Sequence, residues 1–440
     1  METTPAHRTL QQFRQGVYRA LGQRADALFE LLEAALEAAG PATLVRLSLE
    51  PAFRRRWPSA PDALADGTLA VERGRALVGA ALAEQALDRR AVWALDGTVW
   101  PRPAAKTSAA RTYAHRPRPG IPQHGLVPGW EYQWLVAVPE DRGSWVLPLD
   151  VTRRGPAAGT PTALAIAQLR RALRGRRAAP RPVVTFDSQY DPVQLARAAL
   201  PADLLVRLTP KRRFYRAPLP YSGKGTRVRR HGPIFKTWDA TTHGPPDRSA
   251  EVDDPEHGRV HVAAWTNLHV QGAHEVPFTV LQVRVEHLPK SGRTPDPLWL
   301  AWVGQALPAD LPEVWHWYRR RFVIEHGFRF LKQELGWTRV RPADPAAADR
   351  WSWLLALGLW ELWLARPLVT DRRLPWEHPA DPTRLSPGRV RRAVGGLLAR
   401  LGSPTRAPRR RGNAPGRHPG ERPGPRQRYP VAHRPKKRAA

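Results

Sequence analysis

Cysteine is absent from the 440 residues, which excludes disulfides and thiolate metal sites. Acid is scarce relative to base: 39 Asp and Glu stand against 70 Lys and Arg, a net charge of +31. A cation excess of that size implies a polyanionic partner, nucleic acid first and a membrane surface second. Arginine supplies most of it, which suits forked contacts to phosphate oxygens. Long apolar runs are missing too. The most apolar stretch, Trp351 to Ala365, contains Glu361 and is too short to span a bilayer, so it reads as a buried helix. The opening residues, Met-Glu-Thr-Thr-Pro, lack the basic start and apolar core of a secretion signal. The expectation is a cytoplasmic protein with no membrane partner. There is no internal repeat, P-loop or dinucleotide fingerprint, and the length suffices for two or three domains.

What is present divides the chain. Residues 1–88 read as helical, with Leu10, Phe13, Val17 and Leu21 on one apolar face, Leu28, Leu31, Leu32 and Leu36 on a second, and a third helix over Val71 to Ala86. The pattern then changes. Ala91 to Leu95 is a continuous apolar run, typical of a strand buried on both faces, and it ends in Asp96-Gly97. Functional groups gather at the carboxyl ends of strands in open sheets, although Asp-Gly is also a common turn pair. A loop over 101–128 precedes strands at Tyr132–Val138 and Trp145–Val151 and an amphipathic helix at Thr160–Leu173. Pro182 to Phe186 is the next buried strand, ending in Asp187, and Asp191-Pro192 starts a short helix. Leu204–Leu208 is a fifth strand. The order is three strands, helix, strand, helix, strand.

Residues 210–305 hold β-rich runs at Val260–Trp265, Phe278–Val285 and Leu298–Val303 and read as an inserted β domain. The start of this region is basic, with Lys211, Arg212, Arg213, Lys224, Arg227, Arg229 and Arg230, and Phe214, Tyr215 and Tyr221 lie between them. That composition suits phosphates and unpaired bases. Residues 306–402 return to helical patterns. From 403 to 440 the chain carries twelve Lys or Arg against Glu421 alone and almost no large apolar residue, so a disordered basic arm with salt-sensitive DNA affinity is expected.

The stretch Tyr318 to Lys332 contains no proline and reads as one helix. At about 100° per residue, Tyr318, Arg321, Glu325 and Lys332 fall within a wedge of roughly 60°. One carboxylate then stands among two cations and a phenol, an arrangement suited to a metal and phosphates, and equally to a solvated face with internal ion pairs.

This spacing resembles the Tyr-Arg-Glu-Lys signature of one large group of bacterial insertion-sequence transposases, the DDE enzymes. All four positions match without a gap. The strand order from 91 to 208 is similar to the ribonuclease-H-like core of that family and of retroviral integrases. Asp187-Ser188-Gln189-Tyr190 resembles its second motif, with an aromatic three residues after the Asp and Ser188 departing from a frequent Gly. The resemblance covers roughly residues 91 to 365. It implies an α/β core whose insertion falls where members of this type carry one; pattern and composition divide the chain into 1–88, 89–209, 210–305, 306–402 and 403–440, with 1–88 a candidate DNA-binding module, since family members often use such a region to bind the transposon end, or else a bundle packed on the core.

It further implies that Asp96 and Asp187 face each other across adjacent strands and, with Glu325, form a metal-binding triad. Two Mg²⁺ ions, with Mn²⁺ as a substitute, are the expected cofactors. Tyr318, Arg321 and Lys332 are expected to grip DNA, with Arg329 as a weaker candidate on the same face. Trp265 is a candidate, by location, to hold a flipped base, although a structural Trp in a small β core is weighed beside it. Asp150 and Asp191 are set aside, the first on the wrong strand and the second as a helix cap. The implied activity is cleavage of transposon ends and transfer of the 3′-hydroxyl into target DNA, by a homodimer on paired double-stranded ends. A non-catalytic DNA-binding protein and a metal-dependent nuclease that does not join ends stay open beside it.

Overall fold

The computed structural model describes residues 4–85, 90–115, 125–174, 180–218, 231–289, 292–409, 418–422 and 424–433. Tyr221, Lys224, Arg227, Arg229 and Arg230 lie outside them.

Five helices open the chain: α1 (Pro5–Ala20), α2 (Ala25–Glu37), α3 (Leu44–Leu47), α4 (Ser59–Asp66) and α5 (Val71–Glu84). Thr4 caps α1 by accepting from the His7 N–H, with Pro5 in the first turn where no N–H is needed. Leu10, Phe13 and Val17 form its buried stripe.

The α/β core follows. Strands β1 (Val92–Pro101), β2 (Thr112–His115), β3 (Leu126–Val138) and β4 (Leu147–Arg154) lead to helix α6 (Pro161–Ala172), strand β5 (Val183–Phe186), helix α7 (Pro192–Arg197) and strand β6 (Asp203–Arg207). Thr160 and Asp191 cap α6 and α7 through their side chains. Strand β1 is central. It pairs antiparallel with β3 over its whole length and parallel with β5 from Val92 to Leu95, and β5 pairs parallel with β6. The first and fourth strands of the expected order therefore lie side by side. One expectation changes: β1 does not end at Asp96 but continues to Pro101, because β3 supplies ladder partners beyond the point where β5 stops.

The interval read as an inserted domain holds β7 (Arg213–Tyr215), β8 (Ile234–Lys236), β9 (Arg248–Asp254), β10 (Gly258–Val270), β11 (Ala273–Val285) and β12 (Leu298–Val303). It is β-rich, yet it does not form a sheet apart. Strand β12 pairs antiparallel with β6, and the strands run β2-β3-β1-β5-β6-β12-β11-β10-β7-β8 in one sheet, with β4 on β3 and β9 on β10. The free edge of β6 gains hydrogen-bond partners in this way, and an open edge is what sheets avoid.

Four α-helices follow among the described residues: α8 (Glu313–Arg319), α9 (Val323–Gln333), α10 (Pro345–Ala365) and α11 (Pro387–Leu401). Helix α10 is apolar on nearly every side and buried at the centre, with α1, α2, α4, α5, α11 and β4 packed around it. One core of buried residues thus runs from Leu10 to Leu398. Among the described residues no helix is long and apolar enough to cross a membrane.

Two further expectations are corrected. The stretch 318–332 is not one helix, because a 3₁₀ turn at Arg320–Phe322 separates α8 from α9. Three consecutive arginines there serve three different places. Arg319 pairs with Asp254 at 2.8 Å, Arg320 with Asp141 at 3.0 Å and the Val138 carbonyl, and Arg321 with Asp96 at 3.2 Å. The tighter turn re-phases the side chains between the two helices. The basic arm is also partly docked. Thr405 donates to Glu30 at 2.9 Å, and the N–H groups of Tyr429 and Ala432 each donate at 2.8 Å to the carbonyls of Lys106 and Arg111. A segment with few apolar side chains can still be ordered by polar anchors, a contribution that composition does not register.

Candidate functional site

The register of β1 and β5 builds the site. Ala94 pairs with Thr185, so Asp96 and Asp187, each two residues further on, project from the same face of neighbouring strands. The Asp96 side chain is only 13% exposed. Its Oδ1 accepts from the Gly97 N–H at 2.7 Å, and its Oδ2 meets Arg321 Nη1 at 3.2 Å. Burial, and then the neighbouring charge of Asp187, push its carboxyl up to about 6 against the opposing pull of Arg321. Asp187 accepts from the Gln189 N–H at 2.9 Å and from Gln189 Nε2 at 3.1 Å.

Arg321 is the counter-charge. It is buried, and its guanidinium stands 5.8 Å from the centroid of Tyr318 and 4.9 Å from that of Phe322. Burial works against its charge, but Tyr318, Asp96 and Asp187 outweigh this and raise its pKa. Tyr318 itself is fully buried, and burial raises its hydroxyl pKa. The expectation that Tyr318 reaches a phosphate is therefore corrected: it lies at the end of α8, in the core, and supports Arg321.

Glu325 is placed differently from the two aspartates. It sits in the first turn of α9, its side chain is 59% exposed, and it pairs with Arg321 at 3.8 Å while its charge is felt weakly at Asp96. Among the described residues no three His, Asp or Glu side chains converge into a formed metal cluster. The structure brings Asp96, Asp187 and Arg321 together and leaves Glu325 at the rim. Arg329 is exposed on α9 and makes no ion pair among the described residues.

Lys332, near the end of α9, turns back to the sheet. Its Nζ donates to Thr98 Oγ1 at 2.6 Å and lies 5.9 Å from the Trp337 ring. Helix α9 can approach because Gly327 has no side chain: a Cβ there would fall 2.4 Å from Val146 Cγ2. The turn after α9 is fixed by Gly336, whose φ of +67° suits glycine. Trp337 then locks the turn, donating to Ser352 Oγ at 2.9 Å and packing 5.2 Å from Trp100. Alternate residues of β1 thus meet successive parts of the helical layer: Asp96 meets Arg321, Thr98 meets Lys332, and Trp100 meets Trp337. Sequence reasoning missed Thr98. The signal was its place two residues after Asp96, on the same face of a strand that continues past the acid.

Tyr190 completes the floor. It is buried, its ring is 5.1 Å from that of Phe186, and burial with the charges of Asp96, Asp187 and Glu131 pushes its hydroxyl pKa well up.

Trp265 is not part of this site, and the expectation that it holds a flipped base is corrected. It is buried, its Nε1 donates to the Gly244 carbonyl at 3.3 Å, and its ring packs against Phe235, His243 and Trp299. No ring face is left for a base. Asp150 is buried between Arg75 and Arg171 at 3.0 and 2.8 Å, and Asp191 is the cap of α7, so neither stands with the aspartate pair.

The donor set fits a hard divalent cation. Two carboxylates stand on neighbouring strands with the Arg321 guanidinium paired to Asp96, and burial first and the charge of Asp187 second raise the Asp96 carboxyl. All the donors are oxygens, as Mg²⁺ or Mn²⁺ prefers over softer metals.

A model of the family described as DDE superfamily endonuclease matches residues 16–271, more than half of the chain. The match includes Asp96 and Asp187 and stops before Glu325. No curated protein matches the chain.

Proposed function

The chain belongs to the DDE superfamily endonucleases, and from that premise we propose that it is a transposase that cleaves the ends of an inserted DNA element and joins them to a target. The observation that carries this reading is the Asp96–Asp187 pair on neighbouring strands, with the buried Arg321 paired to Asp96. Asp96 and Asp187 would hold Mg²⁺, with Mn²⁺ able to replace it, and Glu325 would complete the set as two ions are taken up. When bound, such ions lower the pKa of water and neutralise charge on a departing oxygen.

The chain's own residues do the rest. Arg321 fixes the orientation of Asp96 and offsets its charge. Lys332, steadied by Thr98, faces the phosphate next to the scissile one, and Arg329 offers a second contact from the exposed side of α9. Tyr318 acts through Arg321. In the first reaction a water oxygen bonds to phosphorus and the strand breaks, leaving a 3′-hydroxyl. In the second that hydroxyl oxygen bonds to a target phosphorus, and the target's own 3′ oxygen leaves with the proton. The substrate is double-stranded DNA with inverted-repeat ends, held by a homodimer.

The rim position of Glu325 favours one alternative, a DNA-binding protein without catalysis. A strand-transfer assay on a labelled duplex carrying the repeat that flanks the gene, in Mg²⁺, separates the readings. Joined products support the transposase, cut ends alone support a nuclease, and intact DNA supports the alternative.

A further inference from the structure

A second basic surface lies in the N-terminal helical region, away from the carboxylate pair. A groove of about 970 Å³ runs between the turn before α2, the loop at 54–56 and the docked segment 406–409. Six arginines line it, Arg24, Arg54, Arg55, Arg56, Arg406 and Arg409, against one carboxylate, Asp26. Arg24 is met by Asp62 and Asp66, at 3.9 and 3.4 Å, but the cations remain in excess, and a cleft with such an excess favours polyanions.

The groove is built from the inside. Glu30 is fully buried on α2 and collects the neighbouring groups. Its oxygens accept from Arg54 Nη2 at 2.9 Å, from the Arg54 N–H at 3.2 Å and from Thr405 Oγ1 at 2.9 Å, and Arg55 Nε lies 3.3 Å away. Asp26 is also engaged, accepting from Tyr18 at 2.7 Å and from the Arg406 N–H at 3.1 Å. Arg55 in turn donates to the Arg406 carbonyl at 2.9 Å. Two acids therefore fasten the late segment to the early loop, and they are spent in doing so. The heads of Arg56 and Arg409 are exposed and have no hydrogen bond or ion pair among the described residues. That of Arg406 is exposed and feels the charge of Asp26.

We infer that this groove is a phosphate-backbone site for duplex DNA, separate from the carboxylate pair and complete only when residues 403–409 are docked. It rests on the reading that DNA is the substrate. The guanidinium forks would take phosphate oxygens without reading bases, so the contact is independent of sequence and falls with salt.

The test uses the full chain in EDTA, so that no cleavage intervenes. Binding to a labelled random-sequence duplex of about 20 base pairs is followed against salt, since each phosphate contact adds about 0.9 to the slope of log K on log salt. The triple variant Arg56→Gln/Arg406→Gln/Arg409→Gln removes three exposed heads and should lower that slope by roughly 2 to 3. The variant Arg293→Gln/Arg372→Gln/Arg373→Gln removes the same charge elsewhere and should leave the slope unchanged. Thr405→Val, which unfastens the segment, should lower it in part.

Equal loss in both triple variants, or no loss in the groove variant, overturns the inference while leaving the transposase reading intact. Duplex-independent competition by inorganic tripolyphosphate at matched charge overturns the assignment to DNA. A wild-type chain that binds no duplex overturns this inference and the functional reading together.

Discussion

The raised carboxyl of Asp96 has a consequence for the stability of the chain without metal. The rise from 3.8 to about 6 corresponds to about 3 kcal/mol of penalty for carrying that charge in the folded state. The folded carboxyl holds its proton more tightly than the unfolded one. Its contribution to stability is therefore complete below about pH 4 and is lost as pH rises through about 6. Asp96→Asn keeps an acceptor for the Gly97 N–H, gives up the one that Arg321 meets, and never ionises. In EDTA at about pH 8 the variant is expected to be more stable than the parent by up to about 3 kcal/mol, and by about pH 4 the two should coincide. Urea unfolding of both proteins at the two pH values gives the difference directly. Added Mg²⁺ should stabilise the parent at the higher pH and not the variant, because a ligand stabilises only the chain that binds it. A variant less stable than the parent at pH 8, or a gap that does not change with pH, would refute the reasoning, since the Arg321 pair would then outweigh burial and repulsion.

Other expectations follow from the same contacts. Thr98→Val removes the acceptor of Lys332 at constant shape and should slow DNA cleavage roughly 10- to 100-fold, while Thr98→Ser restores it and neither change adds to Lys332→Ala; single-turnover cleavage rates read this. Glu325→Gln, at a side chain 59% exposed, should leave the unfolding midpoint unchanged and lower cleavage by more than about 100-fold. Trp265→Ala should cost about 3–5 kcal/mol by opening a cavity among Phe235, His243 and Trp299, measured by denaturant unfolding, with no effect on DNA affinity beyond lost folding.

The central part of this architecture was legible because its signals are local. The buried runs at 91–95 and 182–186, each ending in an acid, fix two strands, and the helix between them is announced by Thr160 and its apolar spacing. The caps at Thr160 and Asp191 are likewise one-residue signals with a mechanism. What was not legible depends on partners remote in sequence. Whether β1 stops at Asp96 is decided by β3, which pairs with it as far as Pro101. Whether 210–305 forms a sheet of its own is decided by the free edge of β6. The single helix expected over 318–332 broke because three neighbouring arginines have three distant partners, Asp254, Asp141 and Asp96. Basic composition hid the docked segment at 403–409, since a buried Glu30 more than 370 residues earlier anchors it. The same blindness hid Thr98, an ordinary strand residue until Lys332 arrives beside it.

The central claim is that Asp96, Asp187 and Glu325 together hold the divalent ions that act on DNA. Crystals of the chain with a duplex carrying its flanking repeat, grown in Mn²⁺ and measured at the manganese edge, test it most directly. The account expects anomalous peaks between Asp96 and Asp187 with Glu325 swung in from the rim as a ligand. Manganese bound elsewhere, or Glu325 still facing solvent beside a filled aspartate pair, would contradict it.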